Sequence, residues 1–315
     1  MGLIYKQDYN GCGSVFFATA MTYKIDFKLH FYEAINYTYI ILRYCVWAKK
    51  IKTDCNTVFV CIDAATYQKL FTNTYLKDTI FIGKETSIAT NDNAYTGKYA
   101  IGQMATIEFF KPTSIDKLGN HLYDWGIEFK TRSTDDLALM HQNAQKLHMQ
   151  VDTVTTILQD GDTSLPWYQS LTLSQKKSNY ELSILEYQKS YLNFLGFTKE
   201  EIHSPMTFDY FNSTLSNGKK YPRQFKNISS ITVVVDSAAL RQLKQYCLLN
   251  NMKATINAFF KDDFVLKYQM VQHTKKIYLK KIELNLLTKQ PKRTINIDNK
   301  VLFNVNNTLC SIVFI

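Results

Sequence analysis

One segment of this chain is echoed far downstream without a gap, and the echo limits the fold more than any other feature. Val58-Phe59-Val60-Cys61-Ile62-Asp63-Ala64-Ala65 lies over Ile231-Thr232-Val233-Val234-Val235-Asp236-Ser237-Ala238, and the match runs on to Leu70 and Leu243. Each copy is an apolar run, an aspartate, two small residues and the start of a helical pattern. That order reads as a buried strand, a turn, and a helix whose first free amides are met by the aspartate side chain. With a small shift, Thr106-Ile107-Glu108-Phe109 answers Lys281-Ile282-Glu283-Leu284, and Gly126-Ile127-Glu128-Phe129-Lys130 answers Val301-Leu302-Phe303-Asn304-Val305. A period this long is not a solenoid unit and points to two related halves. The expected fold is α+β, with two related β-rich repeats of the form strand-helix-strands separated by a helical insertion.

The expected boundaries follow. Residues 1–56 form an N-terminal segment packing on the first repeat, with a strand and one helix around Tyr32 to Lys49. Residues 57–133 are the first β-rich repeat, 134–230 a helical insertion and connector, and 231–315 a second, basic β-rich repeat. Within the insertion, Leu137, Met140, Ala144, Leu147 and Val151 recur three or four apart, which predicts an amphipathic helix over Asp135 to Val151. Leu182, Leu185, Tyr187, Tyr191 and Leu192 predict another over Tyr180 to Leu195, with Gly196 as its C-cap. Gly161 to Pro166 reads as a loop, and Ser204 to Ser230 as a turn-rich connector. Alternation in Lys276 to Leu284 predicts a strand with one solvated face.

A chain of 315 residues has room for two cores. With 20% charged and 14% aromatic residues it is a folding sequence rather than a disordered one. The start, Met1 to Asp8, shows no apolar run behind a basic cap, so no classical secretion signal is expected. The apolar stretch from Tyr37 to Trp47 is short and broken by Arg43, so no membrane span is expected. Cysteines 12, 45, 55, 61, 247 and 310 show no paired spacing. Reduced thiols in a cytoplasmic, nuclear or virion setting are the expectation. Abundant Asn, Lys, Tyr and Ile suggest an AT-rich coding source such as a virus or mobile element.

The net charge of +10 is unevenly spread. Over 57–132 eight Lys/Arg balance eight Asp/Glu, whereas over 231–315 thirteen face five. Lys275, Lys276, Lys280, Lys281, Lys289, Lys292 and Arg293 form the densest cluster, with Tyr268 and Tyr278 nearby. Such a patch can follow a phosphate backbone with a salt-dependent affinity, and lysines suit backbone contact better than base reading. Strand-edge lysines also discourage edge-to-edge aggregation, the simpler role for the same residues.

Two segments carry possible chemistry. Glu128 and Lys130 in Trp125 to Thr131 resemble the Glu-x-Lys half of the PD-(D/E)xK nuclease motif. That resemblance implies a carboxylate on a divalent metal, a lysine near the attacking water, and an upstream acid for which Asp116 is the candidate. Gln7 to Ser14 resembles the opening of papain-like cysteine peptidases, which implies Cys12 as nucleophile and His121 as its partner. His141 and His148 lie seven apart, but two such ligands do not make a metal site. No phosphate loop, dinucleotide fingerprint or paired Cys-x-x-Cys is present, so neither a cofactor nor a metal is expected.

A strand, a helix and further strands, twice over, is similar to the βαβββ units of DNA sliding clamps and viral processivity factors. That resemblance implies a non-enzymatic, nucleic-acid-associated replication accessory of a virus or mobile element, with a protein partner or self-association. A virion structural protein, capsid or minor capsid, is the alternative, and a metal-dependent nuclease the third.

Overall fold

The computed structural model describes residues 51–173, 178–271 and 276–315. Two sheets make up this part of the chain, an eight-stranded closed barrel and a six-stranded sheet, joined by one continuous apolar core. The mixed α+β expectation holds at this level. The strand and helix expected around Tyr32 to Lys49 lie outside the described residues.

The barrel opens with β1 (Thr53–Cys61), α1 (Ala64–Lys69), a π-helical turn (Leu76–Ile80), β2 (Ile82–Thr90), β3 (Ala94–Ile101) and β4 (Thr106–Phe110). It continues with β5 (Trp125–Thr131), α2 (Asp136–Lys146), β6 (Val151–Asp160), β7 (Thr163–Leu173) and β8 (Tyr180–Tyr187). Around the barrel the order is β1-β4-β3-β2-β6-β7-β8-β5. Strands β1 and β4 are parallel neighbours, as are β5 and β8, and β1 and β5 close one seam antiparallel. The opposite seam, β2 to β6, is joined only at Ala89↔Gln159 and Thr90↔Leu158.

Three short helices follow the barrel: α3 (Lys189–Phe194), α4 (Lys199–His203) and α5 (Phe208–Leu215). Leu192, Phe197, Ile202, Met206 and Phe211 give them a small core of their own, against which Tyr187 of β8 packs. The second sheet then forms from β9 (Phe225–Val235), α6 (Ser237–Leu249), β10 (Lys253–Thr255), β11 (Ala258–Lys261), β12 (Phe264–Met270), β13 (Tyr278–Ile297) and β14 (Val301–Phe314). Its order is β10-β11-β12-β9-β13-β14, with β9 and β12 parallel. A strand, a helix and three strands, the first and last of them parallel neighbours, therefore occur three times in succession.

The two aspartates of the echo are caps. Asp63 accepts the Thr66 amide at 3.0 Å and Asp236 the Ala239 amide at 2.8 Å. The later part of the echo pairs elements of different standing. The strand that β12 resembles by position is β4, whereas Lys281 to Leu284 sit on β13, which occupies the place next to β9 that β5 holds next to β1.

Residues 134–230, expected as a helical insertion and connector, supply α2 and then three barrel strands. The helix expected over Tyr180 to Leu195 is β8 followed by α3. Both faces of β8 are enclosed, Tyr180, Leu182 and Ile184 by the core and Ser183 and Leu185 by the lumen, so apolar residues occur on both and mimic a helical stripe. The expected loop at Gly161 is the turn of the β6–β7 hairpin, with Gly161 at φ +56°. The tail Cys310 to Ile315, closing the second repeat, belongs mostly to β14.

Alternation along each barrel strand sends one set of side chains outward and the other into the lumen. Trp125, Ile127 and Phe129 of β5 point outward and are fully buried. Phe129 meets Tyr246 of α6 and Phe264 of β12, each at a centroid distance of 5.5 Å. Tyr246 carries its hydroxyl into the barrel wall, where it donates to the carbonyls of Ile127 and Ser183, both at 3.0 Å. Gly126, Glu128 and Lys130 are left facing inward.

Candidate functional site in the barrel lumen

The lumen is built by register. Glu108 of β4 stands opposite Phe59 of β1 and Tyr99 of β3. Glu128 of β5 stands opposite Thr57 of β1 and Ser183 of β8, and Glu181 of β8 opposite Gly126. Tyr168 of β7 pairs with Tyr187 of β8, and the Tyr95 ring of β3 lies 5.9 Å from Phe110 of β4. Phe110 also meets Phe59 edge-on at 6.1 Å. Gly97 and Gly126 make room for these rings: a Cβ on Gly97 would lie 2.7 Å from Phe110, and one on Gly126 2.0 Å from Phe59. The result is three carboxyl groups within aromatic walls.

Among the described residues no cation pairs with these carboxyls. Neither Glu108 nor Glu128 has a hydrogen-bond or ion-pair partner among the described residues. Burial pushes Glu108 up to about 7. Burial likewise lifts Glu128 well above the usual carboxylate range, and the nearby charges of Glu108 and Glu181 add to the effect. Glu181 is raised by burial, against a hydrogen bond from Ser183 that pulls the other way. Tyr95, Tyr99, Tyr168 and Tyr187 are raised by burial first and by the glutamates second or later. The hydroxyl of Tyr99, a residue 8% exposed, has no hydrogen-bond partner among the described residues. The lumen carboxyls therefore keep their protons to higher pH than ordinary carboxyls do, and when protonated they, like the phenols, can both donate and accept.

One end of the barrel opens into a cleft of about 880 Å³. Asp152, Thr172 and Glu181, all from lumen-facing positions, line it together with His121, Asp124, Asp236 and Lys276. Its wall carries an ordered turn: buried Asp124 accepts the amides of Gly119 at 2.8 Å and His121 at 3.0 Å, and lies 3.2 Å from His121 Nδ1. The other ring nitrogen of His121 lies 3.3 Å from Asp116. Although the chain is strongly basic, among the described residues five carboxylates line this cleft against two lysines.

The opposite end is closed by α3–α5. There Lys130, 6% exposed, places its amine 4.1 Å from the Tyr187 ring centroid, 4.7 Å from Phe211 and 5.7 Å from Phe208. Its Nζ has no hydrogen-bond partner among the described residues. Burial pulls the amine down to about 7, against the upward pull of Asp54.

The nuclease-like set is thus divided. Glu128 and Lys130 share the lumen face of β5, but Asp116 is fully exposed at the mouth and engages His121. The acids that accompany Glu128 are Glu108 and Glu181. Among the described residues no three His, Cys, Asp or Glu side chains are placed to share a metal ion. Cys12 and Gln7 lie outside the described residues, while their expected partner His121 lies between two aspartates. His141 is on α2, whereas His148 follows it at φ +53°, off the helix. Sequence reading passed over Glu108 and Glu181. One signal was available: Ile-Glu-Phe occurs in both Ile107-Glu108-Phe109 and Ile127-Glu128-Phe129.

The basic cluster lies along β13 and just before it, with Lys275 outside the described residues. A bulge between Leu279 and Lys281 breaks the alternation and leaves Lys280 and Lys281 on the same partly exposed face, between buried Leu279 and Ile282. Lys280 donates to Gln269 at 2.9 Å and Lys281 to Glu283 at 2.6 Å. The Lys276 amine stands 3.3 Å from the Tyr123 ring centroid and the Arg293 guanidinium 4.2 Å from that of Tyr75. Lys289 and Lys292 project into solvent. No helix among the described residues is long and apolar enough to cross a membrane.

Residues 55–310 match the profile of a family of unknown function, DUF5829. No curated protein matches. Among solved structures, a Staphylococcus aureus protein described as hypothetical is similar at 11% identity and a TM-score of 0.47, over 78% of this chain and 96% of that one. An extradiol ring-cleaving dioxygenase from B. fuscum is similar at 10% identity and TM-score 0.35, over 70% of this chain and 54% of that one. The 2,3-dioxygenase LapB from Pseudomonas sp. KL28 is similar at 10% identity and TM-score 0.35, over 73% and 72%.

Proposed function

The chain belongs to DUF5829, a family of unknown function, so its role has to be read from its own barrel, and we propose that it binds a small organic molecule there. The ligand enters the cleft of about 880 Å³ and settles against Glu181, Glu128 and Glu108. The observation that carries this reading is the pair Glu108 and Glu128, two partly buried carboxyls with no hydrogen-bond or ion-pair partner among the described residues, beneath a cleft whose floor is the third carboxyl. Buried polar groups are ordinarily satisfied within the protein, and a set left unsatisfied in an open-ended cavity is what a ligand completes. Thermal-shift measurement with benzylammonium, benzyl alcohol and benzoate tests it. At least one should raise the melting temperature, and Thr172→Trp, which fills the mouth, should abolish the shift. No shift from any of them, or one indifferent to Thr172→Trp, argues against a lumen ligand.

A second proposal is nucleic-acid contact through the second sheet, supported by Lys289 and Lys292, which project into solvent close together on β13. Their partners in the wider cluster are largely held by protein groups, so the contact would be small. Changing both to Ser should lower the slope of log affinity against log salt by about 2 units or less. An unchanged slope returns these lysines to guarding a strand edge. The threefold recurrence of strand, helix and three strands supports internal duplication, in units other than the two halves suggested by the sequence.

A further inference from the structure

We infer that the barrel ligand is an organic ammonium ion, taken up in exchange for a proton from the Glu108–Glu128 pair. This rests on the reading of the lumen as a small-molecule site and names the chemistry of its occupant.

Four features of the site lead to it. First, two carboxyls face one another across β1 with aromatic rings around them: Phe59, Phe110, Tyr95 and Tyr99. Ring faces attract cations and exclude water, and an alkylammonium gains from both while a strongly hydrated inorganic ion does not. Second, the carboxyls are not arranged to share a metal ion, since no set of three donors converges among the described residues. Third, the Tyr99 hydroxyl, buried and without a partner among the described residues, lies on the same face directly opposite Glu108 and offers a hydrogen-bond acceptor for an N–H group. Fourth, among the described residues the way in is lined by five carboxylates and two lysines, on a chain of net charge +10, which favours a cation at the mouth.

The groups that face the pair are of one kind on nearly every strand. They are Tyr95 and Tyr99 on β3, Tyr168 on β7, Glu181 and Tyr187 on β8, and Asp152 on β6 towards the mouth. Lys130 on β5 is two residues below Glu128, held among the rings of Tyr187, Phe208 and Phe211. Asp54 on β1 is engaged by Arg132 at 2.7 Å, and Lys84 on β2 is exposed. With no cation beside them, one proton held by the pair relieves their repulsion. An arriving ammonium supplies that positive charge, so the carboxyl gives its proton to solvent and the ligand stays charged. The net charge of the site is unchanged by the exchange.

The test is isothermal titration calorimetry at pH 7 in two buffers of different ionisation enthalpy, with benzylammonium, tetramethylammonium, benzyl alcohol and Mg²⁺ as probes. Benzylammonium or tetramethylammonium should bind with release of up to one proton. Affinity should rise several-fold per pH unit between pH 5 and 7, then level off. Glu108→Gln and Glu128→Gln should each remove the proton release and weaken the ammonium at least tenfold, while Glu200→Gln, on the surface of α4, leaves both unchanged. Because Gln cannot bear the charge but keeps the shape, a melting temperature no lower than the parent's shows that the fold survives. Binding of benzyl alcohol alone overturns the ammonium assignment and leaves the small-molecule reading standing. Proton release with Mg²⁺ but not with the ammonium ions overturns it in favour of a metal. Binding of no probe overturns both readings.

Discussion

At the scale of single residues, the lumen gives stability a dependence on pH that can be signed. Glu108 sits near 7 in the folded chain against an ordinary 4.5. Between those values the folded state holds a proton that the unfolded state has released, so stability falls as pH rises through this window. Lys130 works in the opposite sense. Its folded value of about 7 lies below the ordinary 10.5, so from about 7 upward the unfolded state holds the extra proton and stability rises with pH. Stability is then lowest near neutrality, between two opposing slopes. Urea unfolding at pH 5, 7 and 9 should show that minimum. Glu108→Gln should flatten the acid side, and Lys130→Met the alkaline side while stabilising the protein at pH 7 by roughly 1–4 kcal/mol. A Lys130→Met variant that is less stable at pH 7 would mean the ring cage stabilises the charged amine by more than burial destabilises it.

At the scale of elements, the two caps of the echo and the ring-bearing strands behave differently under substitution. Asp236 begins α6, the helix that carries Tyr246 into the barrel wall, and Asp236→Ala should cost about 1 kcal/mol. Gly126→Ala is expected to cost more, roughly 1–3 kcal/mol, because its Cβ would stand 2.0 Å from the Phe59 ring and that ring is held by Phe110. Chemical denaturation of the two variants checks the order, and a Gly126→Ala variant as stable as the parent would mean that Phe59 has another place to go. These elements also mark what could be read in advance. The strand, capped helix and following strands of both echo segments were legible, because Asp63 and Asp236 sit at the junction where an apolar run stops and a helical period begins. Strand β8 was not, since a barrel strand is enclosed on both faces and loses the alternation that identifies it. The site was half legible for the same reason. Glu128 and Lys130 stood out as spaced charges in an apolar strand, but Glu108 and Glu181 join them only through register, and register is a property of pairing between strands far apart in the chain.

At the scale of the whole molecule, the barrel is unevenly closed, and this sets which part opens first. Strands β1, β4, β5 and β8 are backed by the second sheet and α6, whereas β2 and β6 meet only at Ala89↔Gln159 and Thr90↔Leu158. Beside that seam Asn91 takes the place of a third pair: its amide donates to the Ile157 carbonyl at 3.0 Å and its side-chain oxygen accepts the Ile157 amide at 2.9 Å. Half of β6 is exposed and none of it is fully buried, so few apolar contacts oppose its separation from β2. Local opening follows the weakest cooperative unit rather than the global stability. Hydrogen exchange should therefore be faster along β2 and β6 than along β1, β5, β9 and β13, and Asn91→Ala should speed exchange in β6 while shifting the melting temperature by only a few degrees or less. The ligand reading adds a directional element. A molecule entering by the cleft contacts Glu181 and the β8 side of the lumen, so it should slow exchange at β5 and β8 first and leave the seam fast. Protection that instead begins at β2 and β6 would place the way in at the seam, and the carboxylates at the mouth would then have no part in admission.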